Sequence, residues 1–295
     1  MSFEQQGAIH QELAFGNTLP VTGEQQTSDA LFVSLSELIA ESVFYHPALT
    51  TGVEMLSELE QNSLQSLLNG QSVEDHFVST LTDKISQAIT DDHRCIRVCL
   101  SGSDSYTFKA LIGGALEVEE VNPAMGLRGV SRFASKAYSS AFAMECKVIK
   151  QLQQLGHDVE IVVPFVRALS DAATIIDRLA EQGLPRGLNG LKVLYSCSVP
   201  SAALLADKLL QYFDGIVIDW DELTQMTLGV DKHNEALSYL YNPQSEAVSQ
   251  LAMIAVKAAN FTKKPVIVVT RELESFPKLA EFLAEHVQPQ SVFNF

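Results

Sequence analysis

The stretch VEIVVPFVRALSDAATIIDRLAEQG at 159–183 holds one full unit of the pattern that decides the fold. Its first eight residues are a continuous, largely β-branched apolar run, which reads as a strand buried on both faces. Ser170 then reads as a helix N-cap; Ala172, Ile175, Ile176 and Leu179 follow at i, i+3, i+4 and i+7, and Gly183 closes the helix. A buried strand feeding directly into an amphipathic helix is the building block of a parallel sheet covered by helices.

The unit recurs on either side. Strand-like runs stand at LFVSL (31–35), CIRVCL (95–100), KVLYSC (192–197), GIVID (215–219) and PVIVV (265–269), with helical patterns between them, among them SAALLADKLLQYF capped by Ser201 and SEAVSQLAMIAVKAA at 245–259. Adding LRGVSRF (127–133) and SVFNF (291–295) makes eight strand candidates, the number of a (β/α)8 TIM barrel. The expected architecture is therefore an α/β barrel over 29–295, preceded by a polar N-terminal arm at 1–28. The eighth helix is missing, because SVFNF ends the sequence. A wall left bare there would expose apolar surface, so the arm's Ile9, Leu13, Phe15 and Leu19 are expected to pack near the first and last strands.

Composition bounds the function. The chain of 295 residues carries 36 acidic and 20 basic side chains, a formal net charge of −16, with 46% hydrophobic residues. That is a globular composition, and its charge argues against a nucleic-acid or anionic-membrane binder, which needs a basic footprint. No run approaches the roughly 18 apolar residues of a membrane span, and the start lacks the basic and apolar regions of a signal peptide, so a cytoplasmic location is expected. The four cysteines, Cys95, Cys99, Cys146 and Cys197, show no CxxC pairing and read as small buried hydrophobes.

Barrel chemistry is assembled at the C-terminal ends of the strands and in the loops that follow. There the sequence offers NPAMGLRGVSR (122–132), VPFVRAL (163–169), YSCSVPS (195–201) and DWDELTQMTLGVD (219–231). With LIGG (111–114) and GLPRGLNGLKV (183–193), all in one order, these segments resemble the C-terminal phosphoenolpyruvate (PEP)/pyruvate barrel of the PEP-utilising enzyme family, of the phosphoenolpyruvate synthase (pyruvate, water dikinase) type. The resemblance covers roughly 30–295. No counterpart of the family's ATP-grasp or swivelling phosphohistidine module is seen, and none of the seven histidines lies in a Thr-Ser-x-Gly-x-x-x-His setting.

The resemblance implies a divalent metal held by a glutamate and an aspartate, arginines on the PEP phosphate, and a cysteine that protonates the enolate. Residue by residue, the implied metal glutamate falls on Ser198, the first-strand arginine on Ser34, a second arginine on Cys99 and the proton-donating cysteine on Val269, followed by Thr270 and Arg271. The substrate asparagine becomes Asp221 and the second metal ligand Glu222. Arg128, Arg167, Gln225 and Asn122 are retained. Trp220 stands where the family has a small residue and is expected to fill part of the substrate space. His46, in HPALTTG, reads as a loop or interface residue rather than a ligand.

Losing one charge-stabilising donor costs roughly 10² to 10³ in rate, and losing a general acid a further 10² to 10⁴. The expected function is therefore a pseudoenzyme barrel with an interaction or regulatory role, working as a homo-oligomer, most simply a dimer. Two alternatives stay open. One is an enzyme acting on PEP, pyruvate or another oxoacid with a rearranged site built on Arg128, Arg167, Gln225 and the carboxylates Asp219, Asp221 and Glu222, with Mg²⁺ as the candidate cofactor. The other is a sensor that binds a small PEP- or pyruvate-like anion without turnover.

Overall fold

The computed structural model describes residues 13–22, 26–50 and 53–295. Eight parallel strands run in chain order around one sheet: β1 (Asn17–Leu19), β2 (Ala30–Ser34), β3 (Cys95–Cys99), β4 (Val159–Val163), β5 (Val193–Cys197), β6 (Ile216–Asp219), β7 (Val266–Thr270) and β8 (Ser291–Asn294). The sheet closes where the amide of Gly16 donates to the carbonyl of Val292 at 2.9 Å and the amide of Val292 to that of Ala14 at 2.8 Å. The architecture is the expected TIM barrel.

One strand differs from the expectation. Residues 127–133 do not form a strand; Val130–Phe133 is a short helix entered through Gly129, and Val130 and Phe133 fall on its buried face at i and i+3. The eighth strand is Asn17–Leu19, within the segment read as an arm. It pairs with β2 in the register Asn17↔Leu31 to Leu19↔Val33, and Phe15 bridges Val292 of β8. The arm thus lies between the first and last expected strands, but as part of the wall rather than as a cover over it. Leu13 and Leu19 are buried there, whereas Ile9 lies outside the described residues.

Strand alternation divides the core in two. Phe32, Val162, Leu194, Val217, Ile267 and Phe293 point into the barrel and pack on one another. Their neighbours, including Val33, Val98, Ile161, Tyr195, Ile218, Val268 and Val292, point outward to the helical layer. This two-sided burial is why the strands read as unbroken apolar runs. Below the inner apolar layer, Glu160 accepts from Arg97 Nε at 2.9 Å and from Lys192 Nζ at 2.8 Å, which plugs the N-terminal end with a buried ion pair and a third, half-exposed charge. Among the described residues, no helix is long and apolar enough to cross a membrane.

The loops above the strands are tied to one another, which fixes the mouth. The helix Leu169–Glu181 begins one residue before the expected Ser170 cap, and the Asp171 carboxylate accepts the Arg167 amide at 2.9 Å. Ser201 Oγ donates to the Arg167 carbonyl at 2.8 Å and so joins the β4 and β5 loops.

Candidate functional site

The C-terminal strand ends surround a cavity of about 600 Å³. The alternation that sends Phe32 and Val217 inward also sends Ser34, Cys99, Ser196, Ser198, Asp219 and Val269 to its wall. The four positions at which the resemblance implies a lost functional group, Ser34, Cys99, Ser198 and Val269, therefore all line one cavity, together with Arg128, Asp221 and Glu222. Ser196 and Ser198 satisfy each other, with their hydroxyl oxygens 2.9 Å apart. Burial, followed by the nearby charges of Asp219, Glu145 and Glu37, pushes the Cys99 thiol far above its usual range, so it is no thiolate nucleophile. Cys197 points the other way, into the outer core, where burial raises it to about 12.

The charged side of the mouth is built by the helix Trp220–Leu228. Asp219 is its N-cap and accepts the Glu222 amide at 3.2 Å, while Gly229, at φ +64°, turns the chain back so that Lys232 faces the helix. Glu222 then meets two cations. Its Oε2 accepts from Arg128 Nη1 at 3.1 Å and from Gln225 Nε2 at 3.3 Å, and its Oε1 accepts from Lys232 Nζ at 3.0 Å. Gln225 lies behind the cavity wall and holds the Lys232 amide through its Oε1 at 2.9 Å.

The titration order follows from this arrangement. Burial raises Glu222, but the Lys232 and Arg128 charges more than offset it and hold its carboxyl well below the usual range. Asp219 is raised, first by burial and then by the Glu222 charge. Asp221 is raised by burial, against the opposing pull of Lys232 and of the Tyr241 hydroxyl, which donates to it at 3.0 Å.

Arg128 is locked. Besides Glu222 it donates to the carbonyls of Gly102 and Ala124, each at 3.0 Å, and its guanidinium lies 4.2 Å from the Phe165 ring centroid. Arg167 stacks on the same ring at 4.5 Å and spends its donors on the Gly126 carbonyl at 2.7 Å and on the Arg128 carbonyl and Ser131 Oγ, each at 3.2 Å. It braces the 122–132 loop and does not line the cavity. Gly129, at φ +53°, is required at the crossing, because a Cβ there would sit 2.5 Å from the Pro164 carbonyl oxygen.

Asn122 is exposed and away from the cavity. His46 is buried outside it, with Nε2 2.9 Å from a Glu117 oxygen. Trp220 corrects the sequence reading. Its indole points outward rather than into the mouth, donates to the Pro243 carbonyl at 2.8 Å and packs edge-on against Phe282. The first residue of a helix that follows an inward Asp219 faces the outer layer. Lys232, Tyr241 and Arg271 are cavity residues the sequence reading did not single out. Lys232 stands one residue past the DELTQMTLGVD segment, and Arg271 was noted only as following Val269; no local signal marks Tyr241.

The donor set does not fit a bound Mg²⁺. Both Glu222 oxygens are taken by cations, and Ser198 offers a hydroxyl, already 2.9 Å from Ser196 Oγ, where the second carboxylate would be needed.

Over residues 67–287 the chain matches the family described as PEP-utilising enzyme, PEP-binding domain. It is 41% identical over 191 residues to the phosphoenolpyruvate synthase of Pseudomonas aeruginosa, covering 64% of this chain and 24% of that protein. With the phosphoenolpyruvate synthase of Escherichia coli it shares 36% over 231 residues, 76% of this chain and 29% of that protein, and with that of Neisseria meningitidis 32% over 253 residues, 84% and 32% respectively. The chain thus spans between a quarter and a third of the length of these relatives. An eight-stranded parallel barrel, a cavity at its strand ends and a match across most of the chain converge, and the chain belongs to the PEP-utilising enzymes, as their PEP-binding domain.

Proposed function

We propose that this barrel is a pseudoenzyme of its family: a binding or regulatory module whose cavity no longer supports PEP or enolpyruvate chemistry. The observation that carries the reading is the charge balance of the cavity. Its wall presents the carboxylates of Glu37, Asp104, Asp219, Asp221, Glu222 and Glu272 against the cations Arg128, Lys232 and Arg271. Each of those three cations is already ion-paired, Arg128 and Lys232 with Glu222 and Arg271 with Glu37. A phosphate and a carboxylate arriving together would meet excess negative charge and no uncommitted guanidinium fork. Where the resemblance implies the proton-donating cysteine, the cavity presents Val269, whose methyl groups have no proton to give.

Exposed Tyr106, in the helix Ser105–Lys109, and exposed Val118, Val121 and Met125, in the segment that leads to Arg128, support a contact role for the same end of the barrel. The test is a pyruvate-release assay with PEP and Mg²⁺, set beside a Glu222→Ala control. No release above the buffer blank is expected. Turnover that Glu222→Ala abolishes would show a working site and refute the proposal.

A further inference from the structure

The resemblance places a divalent cation at the barrel mouth, and the residues here do not fit one. We infer that Lys232 supplies a fixed positive charge in its stead, so that the cavity holds its charge balance without binding Mg²⁺ or Mn²⁺. The inference deepens the functional reading of the same cavity and rests on it.

Two features act together. Ser198 offers a hydroxyl, already 2.9 Å from Ser196 Oγ, where a carboxylate would be needed across the mouth. On the opposite side the Lys232 ammonium lies 3.0 Å from Glu222 Oε1. Asp219 and Asp221 line the same wall as this pair, so the ammonium sits amid the carboxylates left to attract a metal. Its position is built. The Gly229 turn brings the chain back, and Gln225 Oε1 accepts the Lys232 amide at 2.9 Å.

Mg²⁺ needs near-octahedral oxygen ligands at about 2.0–2.1 Å and gives up water reluctantly, so it does not displace a lysine already hydrogen-bonded to Glu222. A tethered ammonium neutralises one unit of charge without loss of translational freedom, and it leaves the protein indifferent to metal supply.

The test follows the free Mn²⁺ electron paramagnetic resonance signal as metal is added to wild type, Glu222→Gln, Lys232→Met and Lys232→Met/Glu222→Gln. Wild type and Glu222→Gln should deplete the signal equally, through weak surface binding alone. Lys232→Met, which keeps length and loses charge, should gain one site at least about tenfold tighter than any in wild type, because a unit charge a few ångströms away has been removed. The double variant should lose that site. A wild-type site abolished by Glu222→Gln overturns the inference, and so does a folded Lys232→Met that gains no binding. Should Lys232→Met fail to fold, Lys232→Gln, which retains a donor to Glu222, replaces it under the same two outcomes. Mn²⁺ binding without PEP turnover would overturn this inference alone; PEP turnover without Mn²⁺ binding would overturn the functional proposal alone.

Discussion

Gly16→Ala is a one-methyl change in a segment whose composition reads as a polar arm, and the structure makes it costly. A Cβ at Gly16 would lie 2.0 Å from Cε1 of Phe293, 2.6 Å from Cδ1 and 2.8 Å from Cζ. Ordinary contact begins near 3.4 Å, so the ring or the strand must move by more than an ångström. Neither moves freely. Phe293 is fully buried in the inner layer, 5.2 Å from the Phe32 ring, and Gly16 is held by its hydrogen bond to Val292.

Overpacking of this kind costs about 1–3 kcal/mol, which for a domain of this size lowers Tm by about 2–5 °C. The assay is urea and thermal denaturation of Gly16→Ala, with exposed Val21→Ala as the neutral control. Gly16→Ala/Phe293→Leu should recover part of the loss, with a coupling of about 1 kcal/mol in a double-mutant cycle. Gly16→Ala unfolding at the wild-type midpoint would mean that the 13–19 segment does not close the barrel, and the fold described here would be wrong at its seam.

Further outcomes follow from the same packing and charge arguments. Trp220→Ala should cost about 3–5 kcal/mol, as large-to-small core changes do, and wild-type Trp220 fluorescence should resist acrylamide; free quenching with an unchanged Tm refutes its burial. Burial, opposed by hydrogen bonds from Ser101 and Tyr138, raises the Glu145 carboxyl to about 7. A raised carboxyl pKa means that the folded protein keeps a proton the unfolded chain gives up, so stabilisation is full below the unfolded value and is lost as pH rises through about 7. Relative to the permanently neutral Glu145→Gln, wild type should therefore lose urea stability between about pH 5 and pH 8, and parallel profiles refute the shift.

Much of this was legible in the sequence because strands buried on both faces announce themselves. Seven of the eight strands, β2 to β8, stand on runs that are mostly apolar. β1 did not show, since Asn17–Leu19 is three residues long and takes its burial from neighbours distant in sequence. LRGVSRF misled because Val130 and Phe133 suit a short helix as well as a strand, and Gly129 decides between them. At the site, the resemblance located Ser34, Cys99, Ser198, Val269, Arg128, Asp221 and Glu222, and strand alternation accounts for the way the first four face the cavity. Neither could tell that Arg167 and Gln225 work from behind the wall, nor that Lys232 returns to Glu222, since those depend on where a loop folds back. The outward Trp220 is the same lesson at a helix start: one residue past Asp219 the backbone has turned, and the side chain belongs to another layer.

The central proposal is that the cavity carries out no enolate chemistry, and proton exchange on pyruvate tests it most directly. Proton exchange at the pyruvate methyl group requires only enolate formation and a positioned proton donor. Pyruvate in deuterated buffer with Mg²⁺, followed by proton NMR, should lose its methyl signal no faster with this protein than with an equal concentration of Arg128→Met/Glu222→Gln. Exchange well above that control would show that the cavity still forms and protonates an enolate, and would contradict the account.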